Sequence, residues 1–415
     1  MATPSLAMIP SAIADAKVFS VLPNNGDGDF TFDRASTATR VGQNGLIETV
    51  AIDLPRLNYD ISNGVVQSCP SLLLEPASTN LITYSEDFSN AYWTKSGTSV
   101  VSDSATSPDG TLNADNLTED SSNAVHFLQR NFTGSSGSSY TYRIFVKMNG
   151  RKKIMLRESG STGYYVAFDL LNNTILDQSN AIGTINKIGN DWVELTHTSV
   201  SGTAFNIAYF ILPDNYVSGQ PQAYQGDGTS GFYIFGAMLE ALSYATSYIP
   251  TNGASQTRTI ETCIKENLSS TILNPSYPFS MYAKCDVVST NSGFAITLSN
   301  PLVNNQYFTI EYFSNLWHIT SRPNGASIRV SSTTAPTIGT HKVLGIFTQS
   351  DMKLYLNGSL IVSGTNNEAW NNAVNGLLLG QLRIVSDTGS RNTIREAQFF
   401  KTELTNAQAV TLTTL

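Results

Sequence analysis

DFTFDRASTATRVGQNGLIETVAIDLPRLNYDISNGVVQS, residues 29–68, sets how the rest of the chain is read. Two Asn-Gly pairs, Asn44-Gly45 and Asn63-Gly64, each sit between strand-like runs. Asn-Gly there is the strongest short hairpin signal, because the favoured two-residue turns hold both central residues at positive φ. The expected hairpins pair 39–43 with 46–50, and 57–62 with 65–68. SLLLEPASTNL, residues 71–81, follows as an apolar tether. Two small hairpins are marginal in water by themselves. The stretch should therefore pack on something larger, either the rest of its own chain or sister copies.

The chain has 415 residues, a length that suggests two or three domains. Charged residues are 13%, about half the ordinary share, and Ser, Thr, Asn and Gly fill the gap. That balance suits β-sandwiches with neutral polar surfaces and argues against long helices. The net charge of −8, with no basic segment, argues against a nucleic-acid partner. Cys69, Cys263 and Cys285 are odd in number and far apart, which is no disulfide framework and suits a reducing cytoplasm. Buried free thiols are the plain expectation, with a Cys263–Cys285 bridge the lesser one. No stretch has the apolar length of a membrane span. The first 23 residues lack the basic start of a secretory signal.

Residues 81–251 read as one domain of short strands. The runs TYRIFVKM (141–148), KIMLRES (153–159) and YYVAFDL (164–170) are followed by others near 191–200, 206–213 and 232–240. Gly, Asn, Ser and Asp clusters separate them at sandwich-like spacing. Alternation puts Tyr142, Ile144, Val146, Ile154, Leu156, Val166 and Phe168 in a core. The opposite face then carries Arg143, Phe145, Lys147, Arg157, Tyr165 and Asp169. Flat rings beside long polar side chains are what sugar binding needs. Arg143, Phe145, Arg157, Tyr165 and Asp169 are thus candidate glycan contacts, with Trp370 from the polar loop NNEAWNNAVNG. The competing readings are a plain solvated face, a face covered by the opening hairpins, and for Trp370 a cap over a sandwich edge. Residues 252–262 read as a linker. Residues 263–415 read as a second sandwich, with a third Asn-Gly hairpin in KLYLNGSLIVSG (353–364).

No catalytic pattern stands out. His126, His197, His318 and His341 form no metal-binding spacing. There is no G-x-S-x-G elbow and no P-loop. Glu86-Asp87 and Glu119-Asp120 are neighbours in sequence, whereas a glycosidase pair faces across a cleft. The chain is not expected to be an enzyme.

Phe30, Phe32, Arg34–Val41, Asn44–Glu48, Pro55, Arg56, Tyr59, Cys69–Pro76 and Thr79–Trp93 resemble the N-terminal signature of a large group of tailed-bacteriophage structural proteins. The match covers roughly the first quarter of the chain. GFYIFGAMLEALSYATSYIPT, residues 231–251, resembles the last strand and exit of carbohydrate-binding-module jelly rolls. The C-terminal third resembles concanavalin- and laminin-G-like jelly rolls, which implies a short helix after the final strand, here over 406–412 with Thr405 as its N-cap. Together they imply an all-β chain: an N-terminal β-hairpin module (1–80), then two antiparallel jelly-roll β-sandwiches (81–251 and 263–415) around the 252–262 linker. They imply a virion protein such as a tail fibre or tail tip, made in the host cytoplasm, with assembly and host-surface glycan attachment as its roles. A purely architectural capsid fibre or decoration protein is the first alternative, and a secreted glycan-active enzyme the second. Partners would be other virion proteins, copies of the chain (trimers by analogy) and host glycans, without membrane insertion. Arg34, Arg40, Glu48, Arg56 and Glu75 are the expected salt-bridging residues of the assembly module. Jelly rolls of both kinds often hold a structural calcium ion. The loop residues Asp109, Asp214 and Asp227 invite that reading, but turn chemistry is the plainer explanation, so no ligand is assigned.

Overall fold

The computed structural model describes residues 2–158, 163–218, 222–288, 292–303, 305–380 and 392–415. Period-2 alternation builds its sheets. In Ser138–Asn149, Tyr142, Ile144 and Val146 enter one core while Phe145 enters a smaller cluster on the other face. Ile154, Leu156, Val166 and Phe168 meet them from a facing sheet. All four face the core as expected.

This first sandwich, the insert, has two antiparallel sheets of six strands each. Its inner-junction sheet runs Thr98–Thr106, Leu112–Glu119, Gly231–Glu240, Ser138–Asn149, Trp192–Ser201, Ile182–Gly189. Its far sheet runs Thr94–Ser96, His126–Thr133, Ala204–Leu212, Lys153–Glu158, Tyr164–Asp169, Thr174–Ser179.

The second sandwich takes strands from both ends of the chain. In one sheet Phe279–Val287 pairs with Asn392–Phe400, and that strand pairs with both Leu6–Met8 and Ser71–Leu74. In the other, Phe30–Asp33 pairs with Thr262–Lys265, which pairs with Gly376–Leu379. Phe30, Phe32, Leu72 and Leu74 lie in one core with Phe279, Trp317 and Phe347. The opening stretch thus packs on the rest of its own chain, and the expected boundary between 1–80 and 263–415 is crossed by sheet pairing. The physical reason is that strands of two to four residues cannot satisfy their backbone groups or cover their apolar faces alone.

Two short crossings join the sandwiches. Ser78–Asn80 leads into the insert and pairs antiparallel with Gln256–Arg258, which leads out. The segment read as a slack linker therefore carries a strand, and Arg258 and Glu261 in it are fully buried.

Local signals behave mostly as expected. Asn63 and Gly64 both take positive φ (50° and 80°), as do Asn357 and Gly358 (49° and 84°). At the first turn only Gly45 does (79°), because Gly42 N–H reaches Leu46 O and makes a longer loop. The helix Asn406–Thr413 starts at Thr405, whose hydroxyl accepts from Gln408 N–H in a capping box. The cysteines are free; Cys263 and Cys285 are buried, but Cys69 is exposed, contrary to expectation. Among the described residues no helix is long and apolar enough to cross a membrane.

Candidate functional site

Where the sandwiches meet, five ionic side chains are packed without access to water. Glu261 accepts from Arg34 Nη1 at 2.7 Å and from Arg56 Nε at 2.7 Å, and pairs again with Arg56 Nη2. Arg56 Nη2 also reaches Glu75 at 2.9 Å, and Arg258 Nη1 reaches it at 3.0 Å. All five side chains are fully buried. Three guanidiniums thus face two carboxylates. Carbonyl oxygens take up much of the excess: Ser36, Leu54 and Ala51 for Arg34, and Pro76 for Arg258. Burial pulls the Arg34 pKa below its ordinary value despite Glu261. Burial acts the same way on Arg56, but Glu261 and Glu75 outweigh it and hold its pKa above the ordinary value.

Arg34, Arg56 and Glu75 were expected at an assembly interface. Here they face one another inside the chain and are closed to a partner. Arg40 and Glu48, also in that set, pair with each other at 3.2 Å and remain partly exposed.

The clamp fixes a groove on the outer face of the insert's inner-junction sheet. Its inner recess, about 340 Å³, lies between that face and the opening hairpins. Thr39, Arg40, Asn58 and Tyr59 form one side, and Arg143, Phe145 and Tyr248 the other. Its outer recess, about 810 Å³, continues over Thr184, Thr196 and Thr198 toward Val288 and Ile338 of the second sandwich. Asn186 and Glu194 line both recesses. All three segments of the chain contribute.

Arg143 and Phe145 sit at the inner end, both nearly fully buried. The Arg143 guanidinium donates to Glu194 Oε1 at 3.0 Å and to Thr246 O at 2.7 Å, and lies 5.3 Å from the Phe145 ring centre. Burial, then the Glu86 carboxylate, drives the Tyr248 hydroxyl pKa well up, so it stays a neutral donor. It donates to Glu86 Oε1 at 2.8 Å. Along the strands Thr184 and Thr196 share a hydroxyl contact at 2.7 Å, and Thr198 shares one with Thr141 at 2.8 Å. A hydroxyl has one proton and two lone pairs, so such pairs keep further bonding capacity.

The other candidates lie elsewhere. Arg157 and Tyr165 are cross-strand neighbours on the far sheet, on the opposite side of the insert from Arg143. The expected single outer face is thus two faces, because Ser138–Asn149 belongs to a different sheet from Lys153–Glu158 and Tyr164–Asp169. Arg157 donates to Gln222 at 3.1 Å. Tyr165 donates to Asp177 at 2.7 Å, and this bond first, then burial, pushes its pKa up to about 12. Tyr216 is buried in a cluster with Phe210 and Met155 on that face. Asp169 is buried and binds Asn172 in its own turn. Trp370 stacks on Phe308 at 5.7 Å and 15° and meets Tyr277 and Phe279 edge-on, which makes it a cap on the second core.

Sequence reading missed Thr184, Asn186, Thr196, Thr198 and Tyr59. The first four carried a signal: polar residues at alternate positions, opposite Val193 and Leu195, across the Asn190-Asp191 turn. Asp109 accepts from Ser107, Thr111 and Asn113, Asp227 from Thr229 and Ser230, and Asp214 from Lys152 N–H. Each is engaged with protein donors at a turn or strand end. Among the described residues no group of three His, Cys, Asp or Glu is placed to hold a metal ion.

No family model matches the chain. No curated protein matches it either. Among solved structures, the CBM40 module of Ruminococcus gnavus IT-sialidase bound to α2,3-sialyllactose aligns at 13% identity. That alignment covers 34% of this chain and 85% of that one, with TM-score 0.30. The binding domain of botulinum neurotoxin serotype G aligns at 17% identity over 36% of this chain and 39% of that one, with TM-score 0.30. The leech intramolecular trans-sialidase aligns at 13% over 34% and 24%, with TM-score 0.28. These likenesses reach about a third of the chain and carry no argument about its ligand. The class rests on the chain's own sheets: all-β, with two antiparallel sandwiches.

Proposed function

We propose that this chain is a structural protein of a tailed-phage virion that holds a glycan-attachment groove in fixed shape. The observation that carries this is the groove itself: three chain segments form it, and the buried clamp from the signature residues Arg34, Arg56 and Glu75 ties the opening segment to Arg258 and Glu261 and to Ser247 at the insert's exit. Its lining of hydroxyls and amides, with the half-buried rings of Tyr59 and Tyr244, is the chemistry a saccharide uses. Copies of the chain and other virion proteins are the partners this reading implies. Binding of the intact chain to a glycan array, lost when Thr198→Arg fills the groove, is the expected result. A well-folded chain that retains no glycan, yet is located in a virion reconstruction, leaves the architectural role and removes attachment.

A further inference from the structure

Every charged side chain among the described residues lining the groove already has a partner inside the chain. Arg143 pairs with Glu194, Arg40 with Glu48, and Asp60 with Arg395. In the outer recess Glu194 is the one charged side chain among the described lining residues. A sugar carboxylate or phosphate would find no uncommitted cation there and would meet Glu194 instead. Removing a partner from Arg143 to free it would cost the Glu194 bond, which sits in a nearly buried place.

The remaining lining suits uncharged sugar rings. Thr184, Asn186 and Thr198 offer short, laterally spaced donors and acceptors from two adjacent strands. Ile182 (70% exposed), Val200 (53%) and, across the groove, Ile338 (74%) offer apolar surface for the C–H faces of the rings. The floor strand Ile182–Gly189 rises about 3.3 Å per residue, so it gives roughly 20 Å of track. An added peptide strand is the less suited occupant. It would pair along the sheet edge, where Gly64 of the second hairpin already stands against Lys187 and Gly189.

Resting on the attachment reading above, we infer that the groove takes an uncharged oligosaccharide laid along Ile182–Gly189, and discriminates against sialylated or uronate-bearing chains. The test is titration of the intact chain with neutral oligosaccharides and with their sialylated and uronate-bearing counterparts at physiological salt. The expected result is at least tenfold tighter binding of a neutral chain. Thr198→Arg, and separately Ile338→Asp on the facing sandwich, should each weaken it tenfold or more. Ile338 is exposed, so that variant folds even if Thr198→Arg does not; Leu302→Ser, far out in solvent, should bind as the parent does. Preference for acidic chains overturns this inference and leaves attachment standing. Neutral binding unchanged in both groove variants overturns the site. A chain that binds a peptide and no sugar, or nothing at all, overturns both the inference and the attachment reading.

Discussion

Glu261→Gln should be among the most damaging single changes in this protein. Glu261 holds Arg34, two nitrogens of Arg56 and the Glu75 backbone N–H (2.9 Å). Glutamine keeps the shape but removes the charge and turns an N–H₂ toward a guanidinium. Three buried guanidiniums would then face one carboxylate, Glu75. Removing one partner of a buried ion pair costs about 3–5 kcal/mol, because the other charge stays buried without compensation. At about 2–4 °C per kcal/mol for domains of 150–250 residues, the second sandwich should melt roughly 6–20 °C lower. Urea titration is the assay, since guanidinium would itself compete for the carboxylates. The midpoint should fall with an unchanged slope. A loss under about 1 kcal/mol would refute the reasoning, because it would mean that water reaches the site and the clamp is an ordinary surface pair. Replacing Arg34 and Glu261 together with leucine should recover part of the loss, as paired apolar replacement of buried ions often does.

Burial lifts the Asp115 carboxyl to about 6, against the pull of the Phe88 and Asp103 N–H groups. A raised acid favours the protonated folded state, so its contribution is full below the unfolded value near 3.8 and is lost as pH rises through about 6. Stability measured from pH 4 to 7 should therefore fall less steeply in Asp115→Asn than in the parent. Gly231→Ala would put a Cβ 1.9 Å from Leu117 O in the paired strand. With backbone on both sides it should cost about 1–3 kcal/mol or more by denaturation, and a loss below 0.5 kcal/mol would contradict the sheet register. A thiol reagent should label one cysteine per native chain, Cys69, while Cys263 and Cys285 react only in urea; burial pushes the Cys285 thiol up to about 12. Native labelling of all three, read by mass spectrometry, would count against the packing of the second core.

What alternation could say, it said correctly: Tyr142, Ile144, Val146, Leu156 and Val166 are core. Alternation assigns a residue to one side of its own strand. It does not say which sheet the strand joins, and so Arg143 and Arg157 were placed on one face when a whole sandwich separates them. The salt-bridging role of Arg34, Arg56 and Glu75 was expected from the opening module that carries the phage-protein resemblance, though at an interface rather than inside the chain. Their partners Arg258 and Glu261 were not, because they lie in a segment whose Asn, Gly, Ser and Gln look like a linker. The clamp depends on residues 205 and 227 positions apart, and no local pattern encodes that pairing. Covered aromatic and arginine side chains also look like exposed binding groups in a strand: Phe145 and Trp370 are both spent on packing.

The crossing where Ser78–Asn80 pairs with Gln256–Arg258 has a consequence for how the molecule comes into being. The insert is continuous in sequence, so it has all its strands as soon as residue 240 is made. The second sandwich has to wait: Leu6–Met8 pairs with residues 397–399. At about 5–20 residues per second the first strand spends roughly 20–80 s without its partner. The finished insert meanwhile brings residues 80 and 256 side by side, and so shortens a search across nearly the whole chain to one across the remaining two segments. The same closeness makes the insert a cassette. Any module whose two ends emerge as neighbouring antiparallel strands, and which keeps the contacts that Thr246–Tyr248 make to Thr39, Arg56 and Glu75, could replace it on the second sandwich and would carry its own recognition surface with it.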